Sequence, residues 1–232
     1  MTHFSVRLSE VNSRIFNACQ RFERNPDEIT LLAVSKRHPV TAIREAAGCG
    51  QRQFGENFVQ EALDKIEALR DLDIVWHFIG HLQSNKTRAV AENFAWVHSV
   101  DREKIARRLS DQRPFHAPPL NVCLQVCLEE EPGKGGAMPE QVPALAEAVA
   151  SLPQIRLRGL MAIPPPTDDV VRQREYFRRL RTLSEELSAA GLQIDTLSMG
   201  MTDDLEAAVA EGSTMLRIGT ALFGPRPRTG GA

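Results

Sequence analysis

Cysteine, net charge and long apolar runs are all scarce in this chain. Its 232 residues include four cysteines at irregular spacing, which excludes a disulfide-dense scaffold and indicates reduced thiols in the core. Cys123 and Cys127 share one apolar run, and a strand would hold them about 13 Å apart, too far to bind one metal ion. No segment approaches the ~20 consecutive apolar residues that a membrane-spanning helix requires. The sequence therefore predicts neither a metal site nor a membrane protein.

An excess of charge of one sign is also lacking. The 28 basic and 30 acidic residues give a net charge of -2, so binding to a polyanion such as nucleic acid is not expected. A hydrophobic content of 42% and a charged content of 25% are typical of a soluble globular protein. Residues 1–25 mix charged and apolar side chains at helical spacing, which predicts an amphipathic helix and not a secretion signal. We therefore expect a cytoplasmic protein.

Short apolar or β-branched runs alternate with longer helical patterns along the chain, as they do in βα units. The predicted strands are 29–36, 53–57, 75–80, 96–101, 121–128, 158–164, 196–201 and 215–223. The predicted helices between them are 40–47, 58–69, 87–93, 102–110, 139–151, 168–190 and 203–211. Eight such runs predict an α/β fold, a single (β/α)8 TIM barrel with an extra N-terminal helix. One domain would then span residues 1–232, with 226–232 as a frayed tail.

An open, doubly wound sheet shows the same alternation, because strand order cannot be read from a sequence. The placement of polar residues favours the barrel. They gather at the C-terminal ends of the predicted strands, as Lys36, Glu56, Asn57, His77, Ser99, Asp101, Ser198, Arg217 and Thr220. In a (β/α)8 barrel those ends form one rim, where the active sites of this fold lie. We therefore expect these side chains to converge on one pocket.

Lys36 closes the first apolar run, where a buried strand should give way to a loop. A hydrated surface lysine is the commoner case for one isolated residue. An amine enclosed by a barrel mouth, however, loses hydration, which favours the neutral form that attacks an aldehyde. Lys65 and Lys104 fall instead in charge-rich helical patterns and are set aside. Lys36 is the predicted nucleophile.

The last two predicted strands carry the features of a phosphate site. Gly219 and Thr220 follow Arg217, so backbone N–H groups and a hydroxyl could approach an anion there. Ser198 and Met201 belong to the seventh run, and the loops after strands seven and eight of such barrels often bind phosphate. The glycines of both segments would serve equally well in simple tight turns. Spacing alone leaves these two interpretations open.

Six segments, taken together and in this order, resemble the pyridoxal phosphate homeostasis protein family. They are 33–36 (AVSK), 54–57 (FGEN), 76–80 (WHFIG), 159–164 (GLMAIP), 197–204 (LSMGMTDD) and 212–224 (GSTMLRIGTALFG). The resemblance implies a barrel of the alanine racemase N-terminal type, with pyridoxal 5′-phosphate held as a Schiff base on Lys36. Together, the resemblance and the phosphate pattern predict further cofactor-binding residues. They are Asn57, His77, Ser198, Met201, Arg217, Gly219 and Thr220. Among these, Arg217 matches the arginine that faces the pyridine nitrogen.

Two positions depart from the family pattern. Cys127 stands where the family usually has an asparagine, and Thr202 stands where serine is commoner. Glu131, Lys134 and Gly136 of the following loop still align, which makes Lys134 a candidate for a second, weaker pyridoxal phosphate site. The exchange at position 202 keeps a hydroxyl, whereas the exchange at 127 alters whatever the asparagine bonded.

The choice between a carrier and an enzyme depends on a second acid–base group. Alanine racemase takes a tyrosine from its partner subunit, and this chain has one tyrosine, Tyr176, inside the predicted helix 168–190. With no second base evident, we expect a non-catalytic carrier that serves pyridoxal phosphate homeostasis and so affects amino-acid and keto-acid balance indirectly. A pyridoxal-phosphate-dependent racemase or lyase is the alternative, and a scaffold for protein partners is a third. We expect a monomer that makes transient contact with pyridoxal-phosphate-dependent apoenzymes.

Overall fold

Eight parallel strands close into one barrel in a computed structural model that describes residues 2–129 and 135–225. The strands are β1 Thr30–Val34, β2 Gln53–Glu56, β3 Val75–Phe78, β4 Trp96–Val100, β5 Leu120–Gln125, β6 Ile155–Met161, β7 Thr196–Ser198 and β8 Met215–Ile218. They pair in chain order, and β8 returns to β1 with Ile218 opposite Ala33. The predicted TIM barrel is confirmed, and the open-sheet alternative is excluded because β1 and β8 are neighbours.

Helices surround the strands and bury an apolar layer between the two. The helices are α1 His3–Arg21, α2 Val40–Gly48, α3 Val59–Ala68, α4 Thr87–Asn93, α5 Glu103–Gln112, α6 Val142–Ala150, α7 Val170–Ala189, α8 Leu205–Ala210 and α9 Thr220–Phe223. Fully buried phenylalanines, leucines and isoleucines fill the space between strands and helices, as in other barrels of this class. The predicted frayed tail, 226–232, lies outside the described residues.

The extra N-terminal helix is confirmed as α1. Thr2 caps it by accepting a hydrogen bond from the backbone N–H of Ser5. Its apolar stripe, which includes Val11 and Ile15, is buried, and the helix packs against α8 and α9. Arg14 adds a two-pronged ion pair with Glu206 of α8, at 2.9 Å on each arm. Helix α1 therefore covers the segments that follow β7 and β8.

Several predicted strands run too far at their C-terminal ends. The predicted strand 29–36 stops at Val34, and the predicted strand 215–223 stops at Ile218, after which residues 220–223 form helix α9. The prediction that residues 219–223 continue the last strand was wrong, because the apolar residue Leu222 is buried in the helical layer and not in the sheet. The polar residues that follow the strands thus belong to loops at the rim.

The structure also bears on membranes and metals. Across residues 2–129 and 135–225, no helix combines the length and apolar character needed to cross a bilayer. In the same residues, no three histidine, cysteine or acidic side chains converge as metal ligands would. All four cysteines are free thiols.

Candidate functional site

Lys36 lies on a tight turn at the C-terminal rim, two residues beyond the end of β1. The backbone N–H of His38 donates to the carbonyl of Ser35 at 3.0 Å and closes the turn. Arg37, the third residue of the turn, has a φ of 63°. This left-handed conformation costs a residue with a side chain roughly 1 kcal/mol, so the surrounding contacts must hold it. The half-buried Lys36 is thus presented by a loop of fixed shape.

Asn57 follows β2 on the neighbouring part of the rim. Its carbonyl is covered by Gly80, since a Cβ at position 80 would overlap the backbone of Asn57. The side-chain oxygen Oδ1 of Asn57 is buried and has no hydrogen-bond partner among the described residues. An unpaired buried amide oxygen is costly, so this atom is available to accept a hydrogen bond from a ligand.

A chain of hydrogen bonds crosses the barrel interior below the rim. It links five buried or half-buried side chains, in the order Gln53, His77, His98, Ser198 and Arg217. The successive donor–acceptor distances are 2.7, 2.9, 2.8 and 2.9 Å. Strands β2, β3, β4, β7 and β8 each contribute one member. The chain therefore ties opposite sides of the barrel together.

The two histidines in this series of hydrogen bonds, His77 and His98, are neutral. Burial lowers the pKa of His77 to about 3, and burial, followed by the charges of His77 and Arg217, lowers the pKa of His98 well below its usual value. The amide oxygen of Gln53 accepts from Nε2–H of His77, which leaves Nδ1 of His77 to accept from Nε2–H of His98. Nδ1 of His98 then accepts the hydroxyl hydrogen of Ser198. The hydrogen bond to Gln53 therefore sets the tautomer of His77, and the hydrogen bond to His77 sets the tautomer of His98.

Arg217 ends the chain and is buried in the barrel. It donates to the carbonyl and the hydroxyl of Ser198 and, at 2.8 Å, to the carbonyl of Ala162. Burial lowers the pKa of Arg217 to about 10, which still leaves the guanidinium charged at neutral pH. The hydroxyl hydrogen of Ser198 is already donated to His98, so the predicted role of Ser198 as a phosphate donor would require that hydrogen bond to break.

The loop after β7 lies beside β8, and the residue that follows β8 lies beside β1. The backbone N–H of Arg217 donates to the carbonyl of Gly200 at 2.9 Å, and Gly219 fits closely against Val34 of β1. Helix α9 begins at Thr220, and the N–H groups of Leu222 and Phe223 donate to the carbonyl of Gly219, so the N–H groups of Thr220 and Ala221 are the ones at the start of the helix that it does not itself use. The backbone N–H of Met201, in the loop after β7, already has an acceptor, because it donates to a carboxylate oxygen of Asp204 at 2.5 Å. The start of α9 thus adjoins the strand that leads to Lys36.

The predicted site residues therefore form two groups. Lys36, Asn57, Gly219 and Thr220 lie at the C-terminal rim, together with the partly exposed side chain of Met201. His77, Ser198 and Arg217 lie in the barrel interior and contact one another through His98. The predictions on Glu131 and Lys134 fall outside the described residues.

Three residues of this region were missed by the sequence analysis: Gln53, His98 and Lys65. Gln53 and His98 are polar residues within strands, and their alternation with apolar neighbours was the available signal for an inward-facing position. Lys65 was set aside because it falls in a charge-rich helical pattern, yet it is only 4% exposed. It is three residues from the apolar Ala62 and four from the apolar Leu69, but this spacing alone does not show which face of the helix is covered.

Tyr176 and Cys127 make contacts that limit their roles. Tyr176 and Arg172 lie on the outer helix α7. The hydroxyl of Tyr176 donates a hydrogen bond to Glu129 and accepts one from Arg172, and burial raises the pKa of Tyr176. Tyr176 and Met201 both line a cavity of about 280 Å³ beside the rim. Cys127 donates its thiol hydrogen to the carbonyl of Glu129 at 3.3 Å. The tyrosine hydroxyl is thus already engaged by a carboxylate and a guanidinium.

The barrel and its rim lysine define a class of proteins, the barrels of the alanine racemase N-terminal type. Residues 7–227 match the model of the family described as alanine racemase, N-terminal domain, and the chain belongs to that family. Within it, the chain belongs to the pyridoxal phosphate homeostasis proteins. It is 58% identical over 226 residues to the protein of that name from Pseudomonas aeruginosa, covering 97% of each. The protein of that name from Escherichia coli (strain K12) is 53% identical over 229 residues, covering 97% of this chain and 98% of the other.

Solved structures agree with this assignment. PipY of Synechococcus elongatus, described as having PLP bound, is 41% identical with a TM-score of 0.85, and the match covers 96% of this chain and 100% of that one. Alanine racemase from Corynebacterium glutamicum is 17% identical with a TM-score of 0.67, and the match covers 88% of this chain and 58% of that one. The second likeness shows the fold alone.

Proposed function

We propose that this chain binds pyridoxal 5′-phosphate through a Schiff base on Lys36 and serves pyridoxal phosphate homeostasis as a carrier. The observation that carries the proposal is the placement of Lys36 on a fixed turn at the rim, beside the start of α9. The name shared by the relatives and the PLP-bound PipY structure support the same ligand. The amino-acid and keto-acid balance of the cell would then change indirectly, through the supply of free cofactor.

The residues of the rim fit the chemical groups of this cofactor. Lys36 would hold the aldehyde carbon, and the N–H groups at the start of α9, with the hydroxyl of Thr220, would bind the phosphate. The unpaired Oδ1 of Asn57 would accept a hydrogen bond from the ligand. When bound, the cofactor supplies an electrophilic aldehyde and an electron-withdrawing ring.

Arg217 would face the pyridine nitrogen. Its guanidinium stays charged at neutral pH, so it would donate a hydrogen bond to that nitrogen and would keep it without a proton. An unprotonated ring withdraws electrons less strongly. This arrangement favours storage of the cofactor over turnover of an amino acid.

The side chains around the rim also support a carrier over an enzyme. Racemisation needs an acid and a base, and each such group contributes about 10² to 10⁴ in rate. Among the described residues, the candidates Tyr176, His77 and His98 are each engaged in hydrogen bonds, and both histidines are held neutral by burial. We therefore propose a cytoplasmic carrier that passes its cofactor to apoenzymes by transient contact.

Absorbance of the purified protein with added pyridoxal phosphate tests the proposal. We expect an imine band that borohydride reduces, with the reduced adduct on Lys36 in a mass-spectrometric peptide map. Lys36→Ala should abolish the band, whereas Lys104→Ala, at an exposed helix position, should keep it. An adduct on another lysine would contradict the assignment, and sustained turnover of an amino acid that depends on Lys36 would contradict the carrier role.

A further inference from the structure

Lys65 of α3 lies buried beneath the turn that carries Lys36. Helix α3 directs Lys65 and Ala62 inward, and the ammonium group reaches past β2 to the end of β1. A lysine pays a large desolvation cost in such a place unless its charge is paired and its hydrogens are bonded. The contacts of Lys65 meet both conditions.

Three acceptors surround the ammonium nitrogen of Lys65. Nζ lies 2.9 Å from the carbonyl oxygen of Ser35, 2.7 Å from Oε1 of Glu56 and 2.6 Å from Oε1 of Glu61. An ammonium group has three hydrogens, so all of them are used. The group is therefore fixed in direction as well as in position.

These acceptors connect Lys65 to both peptide groups that flank Lys36. The carbonyl of Ser35 belongs to the peptide before Lys36 and binds Nζ directly. The N–H of Arg37 belongs to the peptide after Lys36 and donates to Oε1 of Glu61 at 2.6 Å, the same oxygen that binds Nζ. One buried cation and one carboxylate thus hold the backbone on either side of Lys36.

Glu56 anchors this cluster from below. Its Oε1 accepts from Nζ of Lys65 and from the hydroxyl of Ser35 at 2.6 Å, and its Oε2 is buried without a partner among residues 2–129 and 135–225. Desolvation raises the pKa of this carboxyl. A buried ion pair with one unsatisfied oxygen adds little net stability, so the geometry of this cluster, and not its contribution to the free energy of unfolding, is the feature to explain.

We propose that Lys65, with Glu56 and Glu61, is a positioning residue for the amine of Lys36. The cluster holds the turn Ser35–His38, including Arg37 in its left-handed conformation, in the shape that places the Lys36 amine at the rim. The inference rests on the proposed Schiff base at Lys36. It assigns to Lys65 no contact with the cofactor.

Variants of Glu61 give the sharpest test, because its side chain is 30% exposed and Lys65 keeps Glu56 as its ion-pair partner when Glu61 is changed. Glu61→Ala removes the acceptor for Arg37, and Glu61→Gln keeps an oxygen there. Glu67→Ala is the matched control, since Glu67 lies on the same helix and pairs with Arg70 three residues away at an exposed site. The double variant Lys65→Met/Glu56→Gln removes both buried charges together.

The readouts are the kinetics of imine formation with pyridoxal phosphate and the hydrogen exchange of amides 35–38 without it. In Glu61→Ala and in the double variant we expect the maximal rate constant of imine formation to fall about 10-fold or more. The pyridoxal phosphate concentration that gives half the maximal rate should stay unchanged, because the phosphate contacts remain. Exchange of amides 35–38 should rise about 10-fold, and Glu61→Gln should restore both quantities.

The outcomes separate this inference from the proposed function. If Glu61→Ala matches Glu67→Ala in imine kinetics and in hydrogen exchange, the positioning role is wrong while the Schiff base on Lys36 stands. If the wild-type protein forms no adduct on Lys36, the proposed function is wrong. The hydrogen exchange of amides 35–38 is a separate test: if it is unchanged in Glu61→Ala, the cluster does not hold the turn, whether or not the adduct forms. If the double variant does not fold, Glu61→Ala decides alone.

Discussion

Buried polar residues of the barrel interior have their protonation states set by burial and by one another. His77 and His98 each donate from one ring nitrogen and accept at the other, which only the neutral imidazole can do. Protonating either would place two hydrogens against each other in a space closed to water. The hydroxyl of Ser198 joins the two ends of this series, because it donates its hydrogen to His98 while its oxygen accepts from the guanidinium of Arg217.

The pH dependence of stability follows from these residues. The pKa of His77 is about 3 when folded and roughly 6.5 when unfolded, so the unfolded chain binds more protons between these values. The stabilisation is complete above about pH 7 and is lost as the pH falls towards 3. Each buried histidine should contribute a slope of about 1.4 kcal/mol per pH unit below pH 6.

Urea unfolding at pH 7, 6 and 5 checks this expectation. His98→Gln should lower stability at pH 7 by about 1–3 kcal/mol, because its partners lose hydrogen bonds, and should also flatten the pH slope by one proton. His116→Gln, at an exposed position, is the matched control for the substitution itself. An unaltered slope in His98→Gln would show that this histidine does not titrate on unfolding.

Among the secondary-structure elements, β6 departs from a regular strand where it pairs with β5. Leu157 pairs with Val122 and Gly159 pairs with Cys123, so Arg158 is an extra residue in β6, a β-bulge. Arg158 binds Asp195 and lies over the ring of Trp96 at 4.8 Å. Gly159, next to the bulge, fits so closely against β7 that a Cβ would overlap the carbonyl of Thr196.

Alanine substitution of Gly159 should therefore force β6 and β7 apart. We expect Gly159→Ala to lower the free energy of unfolding by about 3 kcal/mol, measured by chemical denaturation. Gly48→Ala is the control, because nothing lies within 4 Å of a Cβ there, at the end of α2. That change should be neutral or stabilising by up to about 1 kcal/mol. Equal effects of the two substitutions would contradict the close packing of β6 on β7.

In the whole molecule, the N-terminal helix α1 packs against the segments that follow the last two strands of the barrel. Arg14 of α1 donates to the carbonyl of Thr202 at 2.9 Å as well as to Glu206. Phe4 of α1 packs on Phe223 of α9, whose ring stacks on His38 at 4.9 Å. These contacts link the N-terminal helix to the segments after β7 and β8 and, through Phe223, to His38 at the end of the Lys36 turn.

The monomer expected from the sequence can be tested directly on the whole molecule. Among the described residues, the exposed large apolar side chains include Phe16 of α1, Phe58 just before α3 and Phe115 before β5, which belong to separate parts of the chain. We expect light scattering after size-exclusion chromatography to give the chain mass of 25.8 kDa, with and without pyridoxal phosphate. A stable species of about twice that mass would overturn the monomer.

The sequence allowed part of the rim to be predicted. Lys36 was placed there because it ends an apolar run, and Gly219 and Thr220 were chosen because they follow Arg217 in the last predicted strand; their roles in binding stay predictions. Lys65 was not identified, because one residue type at helical spacing does not reveal whether its face is covered by strands. His98 was missed for a related reason, since a short strand does not show which of its sides faces the barrel interior.

The sequence by itself determined the fold class, the number of strands and the loops that carry the polar residues, because these depend on local periodicity and on where apolar runs end. Tertiary structure alone decided that β8 pairs with β1, that Lys65 supports the turn around Lys36, and that His77 joins Ser198 through His98. Those features join residues 21 to 185 positions apart, and only the packing and closure of the barrel bring them together.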